Sequence, residues 1–227
     1  MKPYPVMMNL QDKQVVVVGG GRVAYRKTIG LLDSGANVAV ISPELVEELQ
    51  GLHNESKISW VPERFSPDQL DEFEPITLVF GATDIRDVNV SLSNEAMRRR
   101  IPCNIADVPD LCTFIVPAVI TQGDLIISVS TGGASPALAR RIREDLEKKF
   151  GPEYAVMTKL MGELRKQIVR NGSDSEANKK VFMEIVDSRL LPALRKNDLD
   201  EAAMVLSEII PDGVDALKAI LSGRNIG

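Results

Sequence analysis

Three consecutive glycines, Gly19 to Gly21, follow a run of four valines and precede a helix-like segment. Gly19, Gly21 and Ala24 match the pattern G-x-G-x-x-A, which here lies between a predicted strand and a predicted helix. In that context Gly19 permits a tight turn, Gly21 lets a pyrophosphate approach the backbone, and Ala24 lets the helix lie close to the strand. The helix amino terminus would then present unpaired N–H groups and a partial positive charge to the phosphates. The predicted dinucleotide contacts are Gly19, Gly20, Gly21, Arg22 and Val23, and the alternative is a tight turn that binds nothing.

Two further segments would complete a dinucleotide site. The second predicted strand ends near Ser42, where a NAD-binding fold usually has Asp or Glu. Ser42 can bond a ribose hydroxyl and Glu44, after Pro43, can reach back to it; alternatively, Glu44 only complements the dipole of the next helix. No Arg or Lys stands beside these residues to accept a 2′-phosphate, which favours NAD over NADP. Ala82 and Thr83 follow the fourth predicted strand and would lie beside a ribose, or would form a plain turn into a helix.

The elements that must position these residues alternate between strand and helix over the first hundred residues. The segments "QVVVVG", "NVAVIS", "ISWV", "ITLVFGAT" and "IPCNIAD" predict five strands, and "PELVEELQGL" predicts a helix that opens at Pro43. This order predicts an α/β fold with a Rossmann-type parallel sheet covered by helices on both faces. "TFIVPAVIT" and "LIISVST" then predict two strands joined by a tight turn, and helices follow. The predicted organisation is an NAD-binding domain over residues 1–112, a dimerisation segment over 113–150 and a helical C-terminal domain over 151–227.

Composition excludes several classes of function. The chain has 227 residues, a net charge of −5 and an isoelectric point of about 5.1, which disfavours nucleic-acid binding because the phosphate backbone selects basic surfaces. No apolar run has the length of a membrane helix, and the amino terminus has no signal-peptide core. Two cysteines and a single histidine argue against a disulfide framework and a histidine-rich metal site, so metal ligands stay unassigned. We expect a cytoplasmic protein that binds neither nucleic acid nor membranes.

Four motifs occur in the order that is found in the precorrin-2 dehydrogenase family. They are "GGGRVAYRK" at 19–27, "GATDIRDVN" at 81–89, "CNIADVPDLCTFIVPA" at 103–118 and "SVSTGGASPALARRIRE" at 128–144. The chain resembles the standalone enzymes and the amino-terminal module of sirohaem synthase. The resemblance implies NAD-dependent oxidation of precorrin-2, a tetrapyrrole, to sirohydrochlorin in sirohaem biosynthesis, and in some members iron insertion as well. It also implies a homodimer, and because the sequence ends at Gly227 we expect the methyltransferase domain of fused members to be absent.

The substrate that this resemblance implies carries many carboxylates, which bind Arg and Lys side chains and helix amino termini. The segment "STGGASP" supplies backbone N–H groups, hydroxyls and a helix start, with Ser135 as the predicted N-cap. Many relatives have Ser where Thr131 stands, and the additional methyl of Thr131 makes that side chain stiffer. The alternative is a glycine turn that ends a hairpin, followed by a solvated basic helix face. The predicted substrate-binding residues are Ser130, Thr131, Gly132, Gly133, Ser135 and Arg140.

Asp107 lies just after the fifth predicted strand, at the carboxyl edge of the sheet, where ligands bind in open α/β folds. By resemblance it matches the proposed catalytic aspartate of the family. A carboxylate in a partly dry crevice can accept a proton during oxidation, and the same group can ligate a metal or take pyrrole protons during chelation. The alternative is that Asp107 only starts the turn "DVPD".

A rival interpretation is an NAD-sensing regulatory module without catalysis, of the kind attached to ion channels or repressors. Such modules share the Rossmann half but do not require "NIAD" and "STGGASP" together. Tetrapyrrole binding would separate the two interpretations.

The predicted strand pair after residue 113 carries apolar residues on both faces. A lone two-stranded ribbon is marginal in water. We therefore expect a homodimer in which a symmetry mate and the tail helices bury this ribbon.

Overall fold

The computed structural model describes residues 3–170, 175–211 and 213–223, and the chain divides into two compact units at residues 116 and 117. The first unit alternates strands and helices, as its sequence predicts. Its elements are β1 (Gln14–Val18), α1 (Arg22–Asp33), β2 (Asn37–Ile41), α2 (Glu47–Asn54), β3 (Ile58–Val61), β4 (Ile76–Gly81), α3 (Arg86–Arg99) and β5 (Cys103–Ile105), with short 3-10 segments at Pro67–Phe73 and Pro109–Leu111.

All five strands of this unit form one parallel sheet in the order β3-β2-β1-β4-β5. The predicted fold class, α/β with a Rossmann-type parallel sheet, is confirmed. From β1 the chain first adds β2 and β3 on one side and then returns to place β4 and β5 on the other. Open α/β sheets bind ligands at such a reversal, outside the carboxyl ends of the central strands. In this unit that place lies above β1 and β4.

The valine run of β1 is buried on both faces of the sheet, because strand side chains alternate between the two faces. Val15 and Val17 lie in one apolar core with Ala24 of α1. Val16 and Val18 lie in a second core, on the side of α3. Helices therefore cover both faces, which explains why the strand sequence is continuously apolar.

Helix α2 begins at Glu47, so the prediction that it opens at Pro43 is wrong. The backbone of Val46 is still extended, and its N–H donates to the carbonyl of Gly20 at 2.8 Å. This hydrogen bond ties the segment between β2 and α2 to the glycine turn. The Val46 N–H is therefore not available for a helical hydrogen bond. The helix does not begin at Pro43, although proline is tolerated in the first turn of a helix.

The second unit contains an antiparallel ribbon and a set of helices. Strands β6 (Ala118–Gln122) and β7 (Leu125–Val129) pair around a turn in which Gly123 has a φ of 57°, so the predicted strand pair is confirmed. Ala118 to Gln122 and their partners present one face of the ribbon to helices α4 and α5. The helices are α4 (Pro136–Lys149), α5 (Glu153–Arg170), α6 (Ser175–Asp187), α7 (Leu190–Arg195), α8 (Leu199–Ile209) and α9 (Gly213–Leu221).

The helices after α4 bury their own apolar core. Leu160 and Leu164 of α5, Ile185 of α6, Leu190 of α7 and Leu206 of α8 are fully buried together. The C-terminal region is therefore helical, as predicted. The assignment of residues 113–150 to dimerisation stays a prediction.

Candidate functional site

The turn after β1 crosses the loop that follows β4. Gly19 has a φ of 120°, and a Cβ at this position would overlap the carbonyl oxygen of Ala82. The N–H of Gly19 donates to Ile41 O at 2.9 Å, and the N–H of Ala82 donates to Val18 O at 2.7 Å. Glycine is required at this position because φ is positive and because the segments that follow β1 and β4 approach each other closely here.

Gly20 lies against the segment that follows β2. A Cβ on Gly20 would overlap the carbonyl oxygen of Glu44 and would lie 2.7 Å from Ser42 Oγ. The middle glycine therefore brings the ends of β1 and β2 together, a role that the sequence pattern does not specify.

We expect Gly20→Ala to lower the free energy of unfolding by about 1–3 kcal/mol, because the new methyl group displaces the backbone at Glu44. Gly30→Ala is the matched control. Gly30 is in α1 and has no atom within 4 Å of the position of a Cβ. Alanine there should therefore raise the free energy of unfolding by about 0.5–1 kcal/mol. Urea unfolding of both variants measures the difference. Equal effects would contradict the close approach at Gly20.

Gly21 faces open space, unlike the two glycines before it. No atom lies within 4 Å of a Cβ built on Gly21, and its φ of −89° is open to any residue. It is the N-cap of α1, yet no side chain among the described residues caps the helix, and the first turn contains no acidic residue. Arg22 is exposed in that turn, and Val23 is half-buried. The helix amino terminus thus presents backbone donors beside an open position at Gly21.

The end of β2 offers a hydroxyl to the same place. Ser42 is 8% exposed, and its backbone is fixed because its carbonyl accepts from Trp60 Nε1 at 2.9 Å. Pro43 and Glu44 are exposed, and the contact of Glu44 with the glycine turn is made by its carbonyl oxygen. Glu44 precedes α2 by three residues, so it does not sit in the first turn of that helix as the alternative interpretation supposed.

The loop after β4 is held by a buried amide. Asn89 of α3 is 4% exposed, and its Nδ2 donates to Thr83 O at 2.9 Å. Thr83 Oγ1 in turn accepts from the N–H of Ile85 at 3.2 Å. Ala82 lies over Gly19, so the predicted cofactor residues of β1, β2 and β4 do come together at one edge of the sheet. Asn89 is a supporting residue that the sequence pattern did not identify.

Asp107 is exposed and follows β5 at the same edge of the sheet. The N–H of Ala106 donates to Gly81 O at 2.8 Å, which ties the start of the Asp107 turn to the end of β4. Asp107 has a φ of 60°, a left-handed conformation that Asp and Asn tolerate better than most residues. The carboxylate is thus carried on a turn that is tied to the end of β4, while the alternative of a purely structural turn residue stays open.

Lys27 of α1 is a positive charge on which Asp107 acts. Its Nζ donates to Asn104 Oδ1 at 3.0 Å and lies 5.1 Å from the centre of the Phe80 ring. Burial lowers the pKa of Lys27 below its ordinary value, and the nearby Cys112 and Asp107 oppose that shift. Lys27 and Asn104 are 77 positions apart, so no local pattern could have paired them.

The other predicted residues lie in the second unit, on the turn between β7 and α4. Gly132 and Gly133 have φ values of 64° and 88°, so the turn itself requires glycine at both positions. Ser130 Oγ accepts from Gly132 N at 3.1 Å, and Thr131 Oγ1 accepts from Ser135 N at 2.9 Å. Each hydroxyl keeps its own O–H available as a donor.

Helix α4 begins as predicted, because Ser135 Oγ accepts from the N–H of Leu138 at 3.2 Å. Its cations already have partners. Arg140 Nε donates to Glu144 Oε1 at 2.9 Å, and Arg141 and Arg143 pair with carboxylates one turn further on. The Arg140 side chain is 77% exposed, so its ion pair is a weak one that an anionic ligand can replace.

Both cysteines are free, and burial raises the pKa of Cys103 to about 12. Within the described ranges no group of three or more His, Cys, Asp or Glu side chains is arranged to hold a metal ion. The described helices also include none that is long and apolar enough to cross a membrane.

Fold and site together define a Rossmann-type protein with a dinucleotide-binding edge. Comparison with known proteins agrees. A family model described as putative NAD(P)-binding matches residues 6–118, and one described as the central domain of a sirohaem biosynthesis protein matches residues 122–149. The predicted cofactor, NAD, is consistent with the first of these models.

Relatives identify the family more narrowly. A siroheme synthase of Methylobacillus flagellatus is 35% identical over 99% of this chain, and one of Nitrosomonas eutropha is 38% identical over 81% of it. The chain covers 45% and 38% of those two proteins, so it spans less than half of their length. A solved structure of "SirC, precorrin-2 dehydrogenase" has a TM-score of 0.74 and 26% identity, with 91% of this chain and 98% of that chain covered. The chain is thus similar to a precorrin-2 dehydrogenase over nearly all of that protein, and to siroheme synthases over less than half of their length.

Proposed function

We propose that this chain is an NAD-dependent precorrin-2 dehydrogenase that acts in the cytoplasm, in sirohaem biosynthesis. The observation that carries the proposal is the open space at Gly21, at the uncapped amino terminus of α1, in a chain that aligns with nearly the full length of a precorrin-2 dehydrogenase. The match to a sirohaem biosynthesis model over residues 122–149 supports an enzyme rather than the NAD-sensing module, which needs only the Rossmann half.

The residues present fit NAD. The backbone of Gly19 to Val23 would bind the pyrophosphate, and the Ser42 hydroxyl would bond the adenosine ribose from the end of β2. Pro43 and Glu44 add no positive charge for a 2′-phosphate, which favours NAD over NADP. Ala82 and Thr83 would line the other side, because their loop is fixed over Gly19. When bound, NAD supplies an acceptor for a hydride.

Oxidation of precorrin-2 to sirohydrochlorin removes a hydride and also releases protons. We assign proton acceptance to the Asp107 carboxylate, because the turn that carries it is tied to the end of β4 at the cofactor edge. The carboxylates of the tetrapyrrole would bind the hydroxyl donors of Ser130, Thr131 and Ser135 on the turn that Gly132 and Gly133 form. Arg140 would exchange its exposed Glu144 partner for a substrate carboxylate.

The test is to add precorrin-2 and NAD to the protein and to follow the absorbance of sirohydrochlorin. We expect sirohydrochlorin and NADH to form in equal amounts. NAD binding without any conversion or tetrapyrrole binding would contradict the proposal and favour the regulatory module. A second addition, of ferrous or cobalt ion as substrate, reveals whether the protein also has ferrochelatase activity, because only then would the metallated product appear.

We also propose that the protein is a homodimer. One face of the ribbon packs on helices, but the other exposes Val119 and Ile126, the latter to 49%. On α4 two apolar side chains are likewise uncovered, since Leu138 is 51% and Ile142 is 38% exposed. A second copy that covers these side chains would remove exposed apolar area from water.

We expect Ile126→Lys to convert a dimer into a monomer, because a charge on the uncovered ribbon face would be buried without a partner. Light scattering at micromolar concentration measures the mass. Met97→Lys is the matched control, since Met97 is 68% exposed on α3 of the first unit and should leave the mass unchanged. A monomeric mass for the unmodified protein would contradict the dimer.

A further inference from the structure

The Lys27 ammonium is held by uncharged partners. It donates to the Asn104 amide oxygen at 3.0 Å and lies over the Phe80 ring, and in the part of the chain that the structure describes it forms no ion pair with a carboxylate. A half-buried cation without an ion pair is unfavourable unless other contacts compensate.

Both partners of Lys27 lead to the same residue, Phe114. Asn104 Nδ2 donates to Phe114 O at 3.0 Å, and the Phe80 and Phe114 rings meet edge to face with their centres 5.5 Å apart. Lys27, Asn104, Phe114 and Phe80 therefore form a closed circuit of contacts that joins α1, β4, β5 and the segment after β5. We call these four residues the Lys27 circuit.

The Lys27 circuit encloses the turn that carries Asp107, because Asn104 precedes that turn and Phe114 follows it. Inside, Cys112 Sγ lies 3.2 Å from Ile105 N, and Thr113 Oγ1 accepts from Cys103 N at 2.8 Å. Asp107 itself has a φ of 60°, a left-handed conformation that is less favourable than an ordinary one even for Asp. The charge of Asp107 also acts on the Lys27 ammonium.

We propose that Lys27 is a positioning residue for Asp107, which holds the turn of residues 105–113 in place through Asn104, Phe80 and Phe114. The inference about catalysis rests on the proposed dehydrogenase function, whereas the inference about the turn does not. Lys27→Met removes the donor and the charge but keeps most of the side-chain length. Lys27→Arg keeps a cation that can both donate to Asn104 and stack on Phe80.

Hydrogen exchange of the full-length protein tests the positioning directly. In Lys27→Met we expect amides of residues 104–114 to exchange about fivefold faster, because the turn loses one of its anchors, while the amides of β1 stay unchanged. Lys27→Arg should restore slow exchange. Arg26→Met is the matched control, since Arg26 is the exposed neighbour of Lys27 on the same helix and carries the same charge. Unchanged exchange over 104–114 in Lys27→Met would overturn the inference.

A double-mutant cycle with Asp107→Asn tests whether the positioning acts on catalysis. We expect Lys27→Met to lower kcat for sirohydrochlorin formation about fivefold at unchanged NAD affinity, and to have no further effect once Asp107 is Asn. The same fold-change in both backgrounds would overturn the assignment of Lys27 to Asp107. If the unmodified protein forms no sirohydrochlorin, the proposed function fails, and the exchange result alone decides the positioning.

Discussion

Gly21→Asp is expected to abolish NAD binding and to leave the protein folded, or even slightly more stable. The aspartate carboxylate would stand at the amino terminus of α1, where the phosphates of NAD are expected, and juxtaposed like charges should weaken NAD binding at least about a hundredfold. The fold should tolerate the change, because Gly21 has an ordinary φ and no atom within 4 Å of a new Cβ. Aspartate is also a better N-cap than glycine, by about a few tenths of a kcal/mol.

Gly21→Asp should weaken NAD binding without lowering the free energy of unfolding. This combination distinguishes the loss of a binding contact from unfolding of the protein. NAD affinity is measured by calorimetry, and stability by urea unfolding without NAD. Gly30→Asp is the matched control, because it adds the same charge to the same helix about 13 Å further along the axis, beyond the Debye length of about 10 Å at 0.1 M salt. Gly21→Ala, which adds only a methyl group, should weaken binding less than Gly21→Asp. If Gly21→Asp binds NAD as tightly as the unmodified protein, the pyrophosphate does not lie there.

The sequence could predict this edge of the sheet because its determinants are local. A valine run, a glycine turn and a small residue at position 24 specify strand, turn and helix within ten or so positions, and the structure has them in that order. The same holds for the N-cap Ser135, whose bond to Leu138 N spans only three residues. Local chemistry is readable because the partners are near each other in the chain.

Contacts between distant segments could not be predicted from the sequence in this way. The sequence pattern gives Gly20 no role of its own. In the structure the carbonyl of Glu44, which follows β2, lies against it. Pro43 is typical of a helix start. In the structure, however, the Val46 N–H donates to the carbonyl of Gly20. Lys27 is the last residue of the first motif, and the sequence shows no role for it. In the structure β5 places Asn104 beside it. In each case the deciding partner lies in a segment that is distant in the sequence, so the residue type alone carries no signal.

The sequence alone does not show whether the predicted substrate-binding residues contact a ligand, and the reason is physical. Gly132, Gly133 and Ser135 are all explained by the turn and the helix start that they form. Residues that the fold already requires cannot reveal a ligand by their types alone. Arg140 is different, because its exposed pair with Glu144 contributes little to stability.

Asp107→Asn is expected to lower the rate of sirohydrochlorin formation about tenfold to a hundredfold at unchanged NAD affinity, no more than the smallest loss of about a hundredfold that removal of a general base typically causes. The loss should be partial, because oxidation is driven toward an aromatic ring and water can replace a weak base in part. Asparagine suits the left-handed backbone of residue 107 as well as aspartate does, so the turn should keep its shape. The substitution therefore tests the carboxylate and not the fold.

Asp110→Asn is the matched control, since Asp110 is an exposed carboxylate on the same turn, three residues after Asp107. Its rate under saturating NAD should equal that of the unmodified protein. If Asp107 serves only metal insertion, Asp107→Asn would form sirohydrochlorin at the normal rate and lose only the metallated product. A rate of oxidation within about twofold of the unmodified protein would thus remove Asp107 from that step, and hydride transfer would then depend on the positioning of substrate and NAD alone.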